Sequence, residues 1–287
     1  MRRVPAVAII RDAYGFTFSH LGGIIGLIWV PMLLLTVMGF FSFQRYYNDF
    51  IEAMAGGNTS MLGSSLLMMM GYLVAALLLE AIMLVGVVQL ALGARQAPRI
   101  AHFAFGPLEW RMFRAFLALV GLMVLFLLPV FMLSNALLAT LSGHAPGMGM
   151  NLTVLALYAA IALAAPRFFA LLPAIAVAET VPVLRRAWAL SAGNFWPLLG
   201  VLAAVLGPLL LTIAVLAAVV AARAAAAPVT GNAQVQMLAA VVQAREALPL
   251  MSGLSFLVSP LLVGLVAGGS VSAWRALSAE PVVDVTA

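Results

Sequence analysis

Two ionisable residues stand deep inside long apolar runs of this chain. Glu80 lies in LLMMMGYLVAALLLEAIMLVGVVQLAL and Arg167 in LTVLALYAAIALAAPRFFALL. A charge near the middle of a bilayer costs roughly 2.5–3.5 kcal/mol on insertion scales, so each requires a partner. Their signs are opposite. If the two runs begin at Leu66 and Asn151 and cross in the same direction, Glu80 and Arg167 sit 14 and 16 residues along them. At 1.5 Å rise per residue their depths differ by only about 3 Å. The sequence therefore predicts an intramembrane ion pair, acting either as a clamp between two spans or as part of a polar path. Pro166 removes a backbone donor beside Arg167 and leaves a carbonyl for the guanidinium.

A second chemistry is written at the ends of the apolar runs. From Glu179 the chain enters a basic, aromatic segment with Arg185, Arg186, Trp188, Phe195 and Trp196, and Arg111 and Arg114 stand beside Trp110. Arginines next to indoles at a span boundary suit anionic lipid headgroups, each Arg near such a surface contributing about 1 kcal/mol. Those four arginines, with Trp110, Trp188 and Trp196, are the expected headgroup contacts, and membrane lipids the expected partners, with another membrane protein as a further one. At Glu179–Trp196 a 3.6-residue period places Val181, Leu184, Trp188 and Phe195 on one face.

Other chemistries find no support. His20, His102 and His144 fall in three separate segments, with no acidic residue at metal-ligand spacing, so neither a metal nor a cofactor is expected. No Ser/His/Asp arrangement stands out, and there is neither Lys nor Cys to serve as a nucleophile. Met68, Met69 and Met70 are consecutive, so on a helix they diverge and cannot converge on a soft metal. An enzyme is not expected.

The elements that must position these residues follow from composition. The chain of 287 residues is 65% hydrophobic and 8% charged, with a mean hydropathy of +1.16. Soluble domains carry about 25% charged residues, so the class is all-α integral membrane. The apolar runs predict a six-helix bundle with spans at 21–43, 66–94, 115–141, 151–178, 197–222 and 250–274, joined on one side by short interfacial helices. Residues 44–65 read as a polar loop broken at Gly56-Gly57, and 223–249 as the longest loop, carrying a short surface helix at QVQMLAAVVQARE. Gly264, Gly268 and Gly269 in the last span allow close helix contact. Arg11 and Asp12 cut the first apolar stretch, so the first ~20 residues read as a retained interfacial helix rather than a signal peptide.

All 14 basic residues are Arg. Ten lie on the side of the termini: Arg2, Arg3, Arg11, Arg95, Arg99, Arg111, Arg114, Arg185, Arg186 and Arg275. Three lie on the other: Arg45, Arg223 and Arg245. The positive-inside rule then puts both termini in the cytoplasm of a bacterial inner membrane. The pI near 10.4 reflects this topology and not nucleic-acid binding. Pro31, Pro129 and Pro208 each follow a basic, aromatic segment, which outlines a candidate repeat of three two-span units.

The segment ETVPVLRRAWALSAGNFWPLLG resembles the membrane domain associated with glycerophosphoryl diester phosphodiesterases. Glu179, Arg185, Arg186, Trp188, Gly193, Phe195 and Trp196 carry the likeness, with Arg167 and Pro173 before them. Ala187 stands where such proteins often have Ser. The likeness covers about 35 residues well and the six-span layout loosely. It implies a membrane module sometimes fused to a catalytic domain. This sequence has no His-Arg-Gly stretch and no carboxylate cluster of the catalytic kind. The expected function is a non-catalytic scaffold or lipid-contacting module, with a small-solute or lipid transporter as the alternative.

Overall fold

The computed structural model describes residues 5–56, 60–94, 105–142, 164, 166–168, 171–225 and 233–278. Among the described residues the chain is helical and holds no strand. The helices are α1 (Ala6–Ser19), α2 (Leu21–Gly56), α3 (Ser60–Leu92), α4 (Pro107–Ser142), α5 (Leu172–Ala178), α6 (Val183–Ser191), α7 (Phe195–Ala225) and α8 (Ala233–Ser278).

Among the described residues, four segments are long and apolar enough to cross a membrane: Leu21–Met54, Leu62–Leu92, Phe195–Thr212 and Leu238–Ser278. They match the expected first, second, fifth and sixth spans. The expected third span, 115–141, lies within α4. The expected fourth, 151–178, lies largely outside the described residues, as does the part of the candidate repeat that depends on it.

Within two expected loops the described residues are helical. α2 has 36 residues, about 54 Å at 1.5 Å per residue, against a hydrocarbon core of about 30 Å. Its polar end continues the helix because the charges there are satisfied on it. Asp49 is buried, takes an ion pair from Arg45 one turn earlier at 3.7 Å and accepts the Ser65 hydroxyl of α3. The helix is described as far as Gly56, and the remainder of the expected Gly56-Gly57 break lies outside the described residues. Likewise the surface helix expected within 223–249 is the beginning of α8, which runs 46 residues through Pro249 and Pro260.

Contacts divide the chain into two compact units: Met1–Phe16 with Phe105–Val205 and Val266–Ala287, and Thr17–Ala104 with Leu206–Leu265. In the first unit α1 buries Ile9 and Ala13, one turn apart, and Ala13 lies against Gly268 and Gly269 of α8. A Cβ built on Gly268 would stand 2.9 Å from the Phe16 ring and 3.3 Å from the Ala13 Cα. Only hydrogen at that position allows the approach, so the expected small-residue contact is realised with α1 as its partner. α4 is capped by its own third residue. Pro107 occupies the first helical position, where its missing N–H costs nothing. The Glu109 carboxylate, buried, accepts the Gly106 N–H at 2.9 Å.

Proline chemistry explains another contact of this unit. Pro208 has no N–H, so the Ala204 carbonyl four residues earlier lacks its helical donor. The Tyr14 hydroxyl of α1 donates to that carbonyl at 2.9 Å. Tyr14→Phe is expected to destabilise the protein by about 1 kcal/mol, read by thermal unfolding in detergent. In a Pro208→Ala background, where the helix supplies the donor, the same change should cost measurably less.

In the second unit α2 and α3 pack along one another. Every side chain from Ala81 to Val88 is buried, the condition of a helix that is apolar all round. α3 ends at Gly93, whose φ of 76° places it in the left-handed region that favours glycine. Gly93 N–H donates to the Leu90 carbonyl at 3.1 Å and Ala94 N–H to Gln89 at 3.0 Å. These paired bonds satisfy carbonyls that a helix end otherwise leaves open.

Candidate functional site

The basic, aromatic segment forms a site in the first unit, organised around the seven-residue helix α5. Leu171 caps its start without a side-chain hydrogen bond, and Pro173 removes one of the free N–H groups. The Ala174 N–H is satisfied from α8, where the buried Ser270 hydroxyl accepts it at 3.0 Å. At the other end the last carbonyls point out of the helix. Arg111 of α4 donates to the Ala176 carbonyl at 3.3 Å and to the Glu179 carbonyl at 2.5 Å. A guanidinium there satisfies open acceptors and meets the negative end of the helix dipole. Side chains of two other helices thus close both ends of α5.

Glu179, the residue after α5, gathers the remaining elements. One carboxylate oxygen accepts Arg186 Nε of α6 at 2.9 Å. The other accepts the Trp274 indole N–H of α8 at 2.8 Å. Through its carboxylate and its carbonyl together, Glu179 joins α4, α5, α6 and α8. With both oxygens taken by permanent donors, it is a structural clasp and is poorly placed for proton transfer.

Arg167 lies just before α5. Its guanidinium stands over the Trp188 ring at 3.8 Å and 5.8 Å from the Phe195 ring. Its Nε is buried without a hydrogen-bond partner. Cation–π attraction to Trp188 therefore holds this charge from one face. Glu80 lies in α3, in the second unit, and Arg167 in the first. Ion pairs among the described residues include Arg45–Asp49 and Arg186–Glu179.

The four arginines expected at headgroups divide into two kinds. Arg114 and Arg185 are exposed, and Arg114 stands 5.9 Å from the Trp110 ring. Arg111 and Arg186 are half-buried and bonded to the α5 end. Trp110, Trp188 and Trp196 are 45%, 56% and 76% exposed, so all three expected indoles stand outward. The helix α6 buries Val183, Ala187 and Ser191, while Val181 and Trp188, from the face picked out by the 3.6-residue period, are exposed. Small side chains let α6 pack closely and leave the Trp188 indole to cover Arg167. Gly193, in the Gly-x-Phe-Trp sequence, has φ 77° and makes the turn from α6 to α7.

Sequence reasoning missed Trp274 and Ser270 as members of the site. Both come from α8, about a hundred positions from their partners, and no local pattern marks them. His20 hydrogen-bonds Ser19 at 2.8 Å; His102 and His144 lie outside the described residues. Among the described residues no group of three or more His, Asp or Glu could hold a metal ion.

The second unit holds a separate cavity of about 310 Å³ lined by residues of α2, α3 and α8, including Thr36, Tyr47, Tyr72 and Ser255. A neighbouring cavity of about 180 Å³ shares Met251, Ser255 and Ser259 with it.

Fold and composition define the class: a helical membrane protein with at least four helices able to span a bilayer. Comparison with protein-family models, with curated proteins and with solved structures returned no match.

Proposed function

We propose that the chain is a non-catalytic bacterial inner-membrane protein, a scaffold or lipid-contacting module of six spans with both termini cytoplasmic. We place it by resemblance with the membrane domain of glycerophosphoryl diester phosphodiesterases. The observation that carries this reading is the outward set Trp110, Arg114, Arg185, Trp188 and Trp196 in the first unit. Indoles favour the membrane interface and free guanidinium groups favour anionic headgroups. Glu179, Arg111 and Arg186 form the scaffold that holds that surface in place. The test is fluorescence quenching in reconstituted vesicles. Brominated phosphatidylglycerol should quench tryptophan emission more strongly than brominated phosphatidylcholine at equal mole fraction. Equal quenching by the two would contradict selective contact with anionic lipid.

A second reading, a transporter of a lipid or small solute, draws on the two adjoining cavities of the second unit. It accounts for cavities among the helices but gives no role to the outward indoles and arginines, so the lipid-contacting module is preferred.

A further inference from the structure

The larger cavity of the second unit has features of a binding site. Its volume of about 310 Å³ lies at the low end of small-ligand pockets, commonly 300–1,000 Å³. Gly39 of α2 makes part of this space, since a Cβ there would stand 2.9 Å from the Tyr72 hydroxyl of α3. Two hydroxyls on its wall are turned back on their own helices. Thr36 donates to the Met32 carbonyl at 2.9 Å and Ser259 to the Ser255 carbonyl at 2.7 Å. With these two donors occupied, the wall is dominated by the hydrocarbon of Met32, Leu35, Phe40, Phe43, Leu248 and Met251. The smaller cavity shares Met251, Ser255 and Ser259, so a flexible chain can continue from one space into the other past two small side chains.

One charge marks the end of this space. Arg245 of α8 is exposed and lies one helical turn before Leu248, a lining residue. Its guanidinium donates to the Asn48 amide oxygen of α2 at 3.1 Å, next to Tyr47, also a lining residue. A cation at the mouth of an apolar cavity complements an amphiphile with an anionic head and a hydrocarbon tail. We propose that this cavity binds an acyl chain whose anionic head meets Arg245, the chain coming either from a free fatty acid or from an anionic phospholipid. This site does not depend on the headgroup contacts of the first unit, and either can fail while the other stands.

Photo-crosslinking of the purified full chain tests it. The probes are a diazirine-tailed palmitate, the matching fatty alcohol and a diazirine-tailed phosphatidylglycerol. Palmitate or phosphatidylglycerol should label peptides containing Gly39 and Ser255, and which of the two labels identifies the source of the chain. Ser255→Phe, or Thr36→Leu should the first not fold, fills the space and should reduce that labelling at least fivefold. Arg245→Gln should reduce labelling by palmitate severalfold and leave labelling by the alcohol nearly unchanged. Labelling spread over outward positions such as Leu125 and insensitive to Ser255→Phe and Thr36→Leu would overturn the site. Equal effects of Arg245→Gln on acid and alcohol would overturn the role of the charge.

Discussion

Glu179→Ala is expected to destabilise the protein by about 2–3 kcal/mol, the cost of losing a hydrogen bond to a cation and leaving a second donor without its acceptor. Arg186 loses its partner at 2.9 Å, and the Trp274 indole N–H loses its acceptor at 2.8 Å. The Arg186 side chain is 40% exposed and that of Glu179 17%, so water screens part of the ion pair and the figure stays below that of a fully buried one. Glu179→Gln keeps an amide oxygen for Trp274 and should cost roughly half as much. Because Arg186 and Glu179 touch, Arg186→Gln combined with Glu179→Gln should cost less than the two single changes together. Thermal unfolding in one detergent measures all of these. A Glu179→Ala protein as stable as the parent would show that the clasp does not hold the site.

The second large effect is expected at the α1–α8 contact. Gly268→Leu places a branched side chain where even a Cβ meets Phe16 at 2.9 Å and the Ala13 backbone at 3.3 Å. Backbone cannot yield as a side-chain end does, and overpacking costs about 1–3 kcal/mol or more. α1 should detach, and trypsin should cut at Arg11 faster than in the parent. Gly15→Ala is the control. Its Cβ would meet nothing within 4 Å, and alanine in a helix is favoured over glycine by about 0.5–1 kcal/mol. Unchanged cleavage of Gly268→Leu would mean that α1 is not held by this contact.

These residues also mark what was legible in the sequence. Length and continuity of the apolar runs sufficed to find the four described segments able to cross a membrane, since a bilayer requires about 20 apolar residues per crossing. Their ends were not legible. Asp49 and Arg45 read as loop residues because they are charged, yet each is compatible with a helix once the other and Ser65 satisfy it. Gly268 was legible as a contact but not in its partner, because small residues say that something approaches and not what. At the site, arginines and indoles were visible as a group. Their division was not, because it depends on where the α5 carbonyls point and on Trp274 arriving from α8. Trp188 stands outward as expected, but its second task was not legible: Ala187 and Ser191 pack inside and the indole covers the Arg167 guanidinium.

The most direct measurement of the account is the lipid that accompanies the purified protein. Arg114→Gln with Arg185→Gln removes the two exposed guanidinium groups, each contributing about 1 kcal/mol toward anionic lipid. Mass spectrometry of the bound lipid should then show the ratio of phosphatidylglycerol to phosphatidylethanolamine falling roughly tenfold or more, with unfolding temperature unchanged. Arg111→Gln with Arg186→Gln should do the reverse, lowering the unfolding temperature while any protein that remains folded keeps its anionic lipid. An unchanged lipid ratio in the Arg114/Arg185 variant would contradict the central claim that this face of the first unit contacts anionic headgroups.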